Sequence, residues 1–486
     1  MSIEPTTPVI VGCGQINGRK ETCREPMDLI ERALELALND CGAPGFQNRV
    51  DLIAVSRSGT GGYRNPAGAL RDRQKLTGAR TLSGNFGGHT PQILLGRVAA
   101  AIASGGAEAV ILAGGELGRD LRMAEQVPVT DAVGADPLVG DAVEDWIYHP
   151  SEIARGIDLP VQVYPMLETA LAFRHGRSVP AHMEQVAKLW ETFSAAAVDN
   201  PNAHDRQLHT AKEIATPTPN NRLIYYPYTR LMNSDPFVDQ AGVLLLCSVA
   251  CAQALGIPKD RWVFPWIAAE AHSPFVIERR DLAAAPSLAR AGQAITGQIG
   301  VAPADMDLVD LYACFPAAVE IQADALRLSI DRPLTVTGGM RFAGGPWNTY
   351  TLHMLANLVG CLRNRPESHG LCSGNGGYAT RFSVGVYSGT PPPKHFDRIA
   401  DAFLPTPAER ISIDDHADGD CTLEAFSIGH DRHGNPGQAI VACRTPSGSR
   451  ALGVTRDEKS IAHLLSQSPS PRTIVHFKAG DVIAIG

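Results

Sequence analysis

The chain has no Cys-x-x-Cys pair, although it carries ten cysteines, at 13, 23, 41, 247, 251, 314, 361, 372, 421 and 443. This spacing excludes zinc-ribbon and thioredoxin-type motifs, and no metal site is expected. No apolar run approaches the roughly 20 residues that a membrane-spanning helix needs. No basic segment precedes the apolar start of "MSIEPTTPVIVGCG". A secretory signal is therefore not expected, the default compartment is cytoplasmic, and the cysteines are expected as thiols. An excess of positive charge is also missing: 43 Lys+Arg against 51 Asp+Glu give a formal net charge of −8. That argues against nucleic acid or an anionic membrane as the main partner. No complete Gly-x-x-x-x-Gly-Lys-Ser/Thr loop occurs, so the glycine-rich turns are weak evidence for nucleotide binding.

What is present is a soluble-type composition, 44% hydrophobic and 19% charged over 486 residues, enough for roughly two to four domains. "TPVIVGCGQ" (7–15) reads as a strand and "PMDLIERALELALNDCG" (26–42) as an amphipathic helix between Pro26 and Gly42. "VDLIAVSRS" (50–58) is a second strand. "GNFGGHTPQILL" (84–95) turns into a helix over about 90–104, which precedes the buried strand "AEAVILAGGE" (107–116). Alternation at this pace predicts a largely parallel sheet covered on both faces. The stretch 117–235 is rich in Pro, Asn and His, with one clear helix near 182–199, and reads as an insertion over the sheet ends. Regular structure resumes at "FVDQAGVLLLCSVACAQALG" (237–256) and runs to "SHGLCSGNGGYATRFSVGVYSG" (368–389). The loop–helix–strand unit at 84–116 has a counterpart in "AGGPWNTYTLHMLANLVGCL" (343–362) followed by "GLCSGNGG" (370–377), which suggests two similar halves. Three prolines in "GTPPPKHFD" (389–397) read as a stiff linker. The strand-like remainder, with a short helix near 460–467, reads as a small β domain, a five-stranded barrel of the OB type.

Four segments together carry a resemblance. "DMDLVDLYACFPAAVEI" resembles the segment of sterol-carrier-type thiolases in which a strand ends in His-Asp-Cys-Phe. "LCSGNGG" resembles the thiolase Cys-x-Gly motif, "TGGMRFAGGPW" the segment leading to Gly-His-Pro, and "GNFGGHTPQILL" the region of the acylated cysteine. The four occur in register over about residues 7–389, and the chain is most similar to mycobacterial thiolase-like proteins with an extra C-terminal domain. The resemblance implies an α/β fold: a core of two similar βαβαβαββ halves, a cap-like loop insertion and a C-terminal β domain. The expected boundaries are 1–116 with 236–300, then 117–235, 301–389, a linker 390–400, and 401–486.

The departures fall on the chemistry. Gly88 stands where thiolases carry the acylated cysteine, and Gly345 where the histidine of Gly-His-Pro would be. Tyr312 and Ala313 replace the His-Asp of the tetrad, while Cys314 and Cys372 remain. A thiolase needs a nucleophilic cysteine, a second cysteine and a histidine for proton transfer, and N–H donors for the thioester oxyanion. The candidates are therefore Cys372, Cys314 and Tyr312 for catalysis, and Gly88, His89, Gly345, Gly374 and Gly376 for substrate binding. Cys372 competes with the reading of a buried strand thiol, Cys314 with packing under a helix, and His89 with a capping role. The resemblance implies an acyl-CoA ligand, no permanently bound cofactor, and acyltransferase activity of the acetyl-CoA acetyltransferase kind. The alternatives are a retro-aldol lyase acting on a CoA thioester and a non-catalytic binding or scaffold protein. It also implies a homodimer, with a monomer left open by the changed loops.

Overall fold

The computed structural model describes residues 3–18, 23–118, 138–139, 147–466 and 469–486. The first half opens with β1 (Pro8–Gly18), α1 (Pro26–Cys41), β2 (Val50–Ser56), α2 (Pro66–Arg73), β3 (Arg80–Gly84), α3 (Thr90–Ala103) and β4 (Ala109–Leu117). β5 (Leu138–Val139) is a short edge strand. The α1 helix forms because Pro26 opens it, Glu25 and Asp28 cap it reciprocally, and Gly42 closes it at φ 68°. Its buried face (Leu29, Ile30, Ala33, Leu34, Ala37) lies on β1, where a Cβ on Gly14 would be 2.0 Å from the Ala33 carbonyl oxygen. Helix and strand pack this closely only over glycine.

The insertion contributes helices Pro160–Arg174, Val179–Asp199 and Ala211–Ala215, and the strands β6 (Leu223–Tyr226) and β7 (Tyr228–Thr229). Most of 117–146, where the insertion begins, lies outside the described residues. The helix expected near 182–199 starts three residues earlier, capped by Ser178. β8 (Asp239–Ser248) is buried along its length and completes the first sheet, in the order β1-β8-β4-β2-β3-β5. β2, β3 and β4 run parallel, and β8 enters antiparallel between β1 and β4.

The second sheet is β9 (Phe264–His272), β10 (Leu308–Asp310), β11 (His369–Gly376), β12 (Arg381–Ser388) and β13 (Asp397–Phe403), in the order β10-β11-β12-β9-β13. Two helices, α3 and Tyr350–Asn364, fill the layer between the sheets, and each touches strands of both. They are the two copies of the repeated unit. α3 is buried on nearly every side, which explains its almost unbroken apolar run.

Two expected boundaries move. β9 pairs with β12 of the second sheet, so the second half begins before residue 264 rather than at 301. β13 pairs parallel to β9. The stretch 390–400 is therefore no free linker: it runs into a strand that finishes the core sheet.

The C-terminal strands are β14 (Gly419–His430), β15 (Pro436–Arg444), β16 (Arg450–Thr455), β17 (Ile474–Lys478) and β18 (Asp481–Ile485), with helix Glu458–Leu465 between them. Their order is β16-β15-β14-β17-β18, and β6 of the insertion joins the same sheet through β14. The sheet curls until Gly453 of β16 packs on Val482 of β18. Among the described residues no β16–β18 ladder closes it into a barrel. Fully buried Arg450 binds it to the core, donating to Glu424 at 2.8 Å, to the Ile277 carbonyl at 2.9 Å, and to the carbonyl of Arg279.

Candidate functional site

A cavity of about 710 Å³ opens between the start of α3, the loop after β11, and the cap. Its walls include Phe86, Gly87, Gly88, Tyr164, Tyr312, Cys314, Phe315, Gly345, Trp347, Asn375, Gly376 and Tyr378, with Arg222 and Arg230 also lining it.

The floor is the turn before α3. Gly87 takes φ 143°, its N–H donates to Asn348 Oδ1 at 2.9 Å, and Asn348 in turn donates to the Arg57 carbonyl at 2.7 Å. The Thr351 hydroxyl donates to the Gly88 carbonyl. The two middle-layer helices thus hold each other's first turns. The helix dipole and the amide N–H groups of such a turn favour a partial negative charge.

Tyr312 follows β10. Its N–H donates to Ser373 Oγ at 3.0 Å, its carbonyl accepts from Gln322 at 2.8 Å, and its ring meets Tyr350 edge-on at 5.6 Å. These contacts aim the phenol at Gly88. A Cβ on residue 88 would lie 2.2 Å from the Tyr312 hydroxyl oxygen and 2.7 Å from the Asn375 carbonyl oxygen. The space that a side chain at residue 88 would need is occupied by this phenol. Burial raises the Tyr312 pKa well above 10, so the group stays an O–H donor at neutral pH.

Cys314 lines the same wall. Asn375 Nδ2 lies 3.8 Å from its Sγ and donates to the Tyr164 hydroxyl at 2.9 Å, and that hydroxyl donates to the Gly377 carbonyl at 3.0 Å. Burial pushes the Cys314 thiol up to about 12, against a smaller lowering by Tyr164, so it is a thiol and no thiolate.

Three expected site residues lie elsewhere. Cys372 is fully buried inside β11, is not part of the cavity lining, and has its pKa raised well above 9 by burial and by Asp310. The position that meets the start of α3 is Gly374, whose added Cβ would be 2.8 Å from His89 Cα and 3.3 Å from the Gly88 carbonyl oxygen. Cys372 and Gly374 share one face of β11, and Cys372 lies two residues deeper along the strand, where the core covers it completely. His89 is buried behind the turn, and its pKa is lowered to about 3 by burial and then by Arg381 and His272. It is a neutral ring at the helix start, not part of the cavity lining. Gly345 and Gly376 do line the cavity, and Met340 fills the space that a side chain at 345 would need, 2.5 Å from an added Cβ.

Sequence reasoning missed Tyr164, Asn375 and Tyr378. Asn375 lies within the quoted "LCSGNGG", but Tyr164 comes from the insertion, where no motif marks it. Among the described residues one group has the ligand types and spacing for a metal ion: Glu168, His182 and Glu320, with ligand atoms within 4.8 Å of one another.

Comparison with known proteins bears on the fold. Residues 404–476 match the family model described as the thiolase-like protein type 1 additional C-terminal domain. Over 358 residues the chain is 26% identical to an acetyl-CoA acetyltransferase of Methanothermobacter thermautotrophicus, covering 69% of this chain and 85% of that protein. Among solved structures it is similar to a monomeric SCP2-thiolase-like protein type 1 from Mycobacterium smegmatis, with TM-score 0.83 and 29% identity over 99% of this chain and 100% of that one. The Ltp2–ChsH2(DUF35) aldolase shares the fold at TM-score 0.61 and 18% identity, over 80% of this chain and 99% of that one. The chain has the thiolase fold with an additional C-terminal domain of strands. No helix among the described residues is long and apolar enough to cross a membrane.

Proposed function

We propose that this chain binds an acyl-CoA in the 710 Å³ cavity and acts on it without forming an acyl-enzyme at the start of α3. The observation that carries this reading is the Tyr312 phenol standing where a nucleophile on residue 88 would project. In this reading the Gly88 N–H and the Tyr312 O–H, which both border the cavity, receive the thioester carbonyl. Exposed Arg230 and half-buried Arg222 meet the anionic end of the ligand at the cavity mouth. The aromatic wall of Phe86, Tyr164 and Phe315 suits an apolar acyl group. The acetyl-CoA acetyltransferase relative supports the CoA thioester as ligand class, and the monomeric solved relative supports a monomer over a homodimer.

A second reading, a lyase that breaks a carbon–carbon bond beside the thioester, is favoured by Tyr312 being a protonated donor. Its proton would go to the enolate carbon as the bond breaks, and the phenolate would take up the proton that the substrate's β-hydroxyl releases as it becomes a carbonyl.

Incubation with acetyl-CoA followed by intact-mass measurement tests the main reading. Saturable binding by calorimetry with no mass gain is expected, with affinity lowered several-fold by Tyr312→Phe. A mass gain of one acetyl group mapped to peptide 84–96 would overturn it.

A further inference from the structure

Behind the cavity the cap holds a cluster that the proposed chemistry does not use. Glu168 lies on helix Pro160–Arg174, His182 on the first turn of helix Val179–Asp199, and Glu320 on helix Pro316–Leu326. All three are buried, at 0%, 0% and 5% exposure. Glu168 Oε1 lies 2.6 Å from His182 Nε2, and Glu320 Oε1 lies 3.7 Å from the same nitrogen. Glu320 Oε1 is sealed from water and faces the other two groups, and with both carboxyls ionised it has no donor there; only a proton held between Glu168 and Glu320 gives it a hydrogen bond. Tyr228 donates to the second oxygen of Glu168 and accepts the Ala317 N–H at 3.0 Å, which fixes the carboxylate plane. Among the described residues no lysine or arginine forms an ion pair with either carboxylate.

Two carboxyl groups sealed in with one imidazole demand neutralisation, by protons or by a cation. Both carboxyl pKa values are raised by burial, in keeping with that demand. We infer that the cluster is a divalent-cation site of the zinc type, with Glu168, His182 and Glu320 as its three protein ligands. Imidazole nitrogen and carboxylate oxygen are ordinary zinc ligands at roughly 2.0–2.2 Å. Around one tetrahedral ion such atoms lie about 3.3 Å apart. The Glu168–His182 pair then opens and the Glu320 contact closes, each by several tenths of an ångström, within the reach of side-chain rotation. Binding leaves the imidazole proton on Nδ1 and releases to solvent the protons held between Glu168 and its two partners, and a water or the second Glu320 oxygen fills the fourth position. Tyr228 already orients one ligand from behind, as outer partners do in metal sites.

The ion would staple two cap helices to the helix that begins beside Cys314. Phe315 stacks on Tyr228 at 6.1 Å and on Tyr164 at 4.6 Å, and Tyr164 lines the cavity. Occupancy is thereby transmitted to the cavity wall, independently of which reaction occurs there.

The test uses the full chain stripped with a chelator and then titrated with Zn²⁺ against a chromophoric competitor. One equivalent retained through gel filtration is expected, with a rise in Tm, and both are lost in the near-isosteric Glu320→Gln with at least a tenfold drop in affinity. Co²⁺ gives a readout that needs no variant: a tetrahedral N/O site yields visible d–d bands on the wild-type chain. Equal Zn²⁺ binding by wild type and Glu320→Gln, or absence of the Co²⁺ bands, would overturn the assignment.

Discussion

A β-carbon on residue 88 would have to share space with the Tyr312 hydroxyl, 2.2 Å away. Restoring the thiolase cysteine is therefore an overpacking change, with a cost of roughly 1–3 kcal/mol. Gly88→Cys alone is expected to lower Tm and to gain no acyl adduct. Adding Tyr312→Ala relieves the clash, so the double variant should lose less Tm than the two single variants' losses added together, which thermal melts of all three check. Thiol chemistry separates the two cysteines. Cys314 borders the cavity, but with its pKa at about 12 it should alkylate slowly at pH 7 and faster as pH rises. Cys372 should label only after unfolding, and peptide mapping after iodoacetamide distinguishes the two. Motif register alone leads to the expectation that residues 88, 312 and 345 stand at thiolase catalytic positions. What fills the space there was not legible, because Tyr312, Met340 and residues 88 and 345 meet only through tertiary packing.

Among the elements, β10 carries a titrating group inside the core. Asp310 is fully buried, accepts hydrogen bonds from Thr335 and Thr337 at 2.7 and 2.6 Å, and has its pKa raised to about 7, chiefly by burial. Its ordinary value is 3.8, so between about pH 4 and 7 the folded chain holds a proton that the unfolded chain has released. The stability tied to this group is present below pH 4 and is lost as pH rises to 7. Asp310→Asn cannot titrate. Whatever its fixed cost, the stability gap between wild type and variant should shift in the variant's favour from pH 4.5 to 7.5, as read by urea unfolding at each pH. A gap that does not change with pH would refute this account of Asp310. The helices α1 and α3 were readable in the sequence because each carries its own punctuation: Pro26 and Gly42 for one, the glycine turn and Ser104 for the other. β13 was not, because three prolines at its approach resemble a linker. Its partner is β9, about 130 residues earlier, and no local pattern announces a parallel pairing at that distance.

At the scale of the whole molecule, the C-terminal strands are built into the protein rather than tethered to it. β6 pairs with β14, the Ser427 hydroxyl donates to the Gln162 carbonyl at 2.8 Å, and Thr169 both accepts from the Phe426 N–H and donates to its carbonyl at 2.8 Å. A chain ending at Gly389 would expose the β9 edge and the buried face of helix Pro160–Arg174. It is expected to be aggregated or unfolded by gel filtration and circular dichroism. A monomeric, native-like truncation would show the opposite of what the shared sheet implies. The two similar halves and the β-rich end could be read from repeats and strand patterns. The seam between insertion and C-terminal domain could not, since neither partner is complete as a sequence segment.

That seam also imposes an order in time. A ribosome releases residues 223–229 long before residues 419–430, with roughly 10–40 seconds between them at ordinary elongation rates of 5–20 residues per second. Throughout that interval β6 lacks its partner and the aromatic face of Tyr225 and Tyr226 has nothing to cover it, since Tyr226 stacks on Phe426 and Tyr225 packs on Gly429 in the finished fold. The nascent chain must therefore pass through a stage in which its first sheet is made and the seam between β6 and β14 is still open.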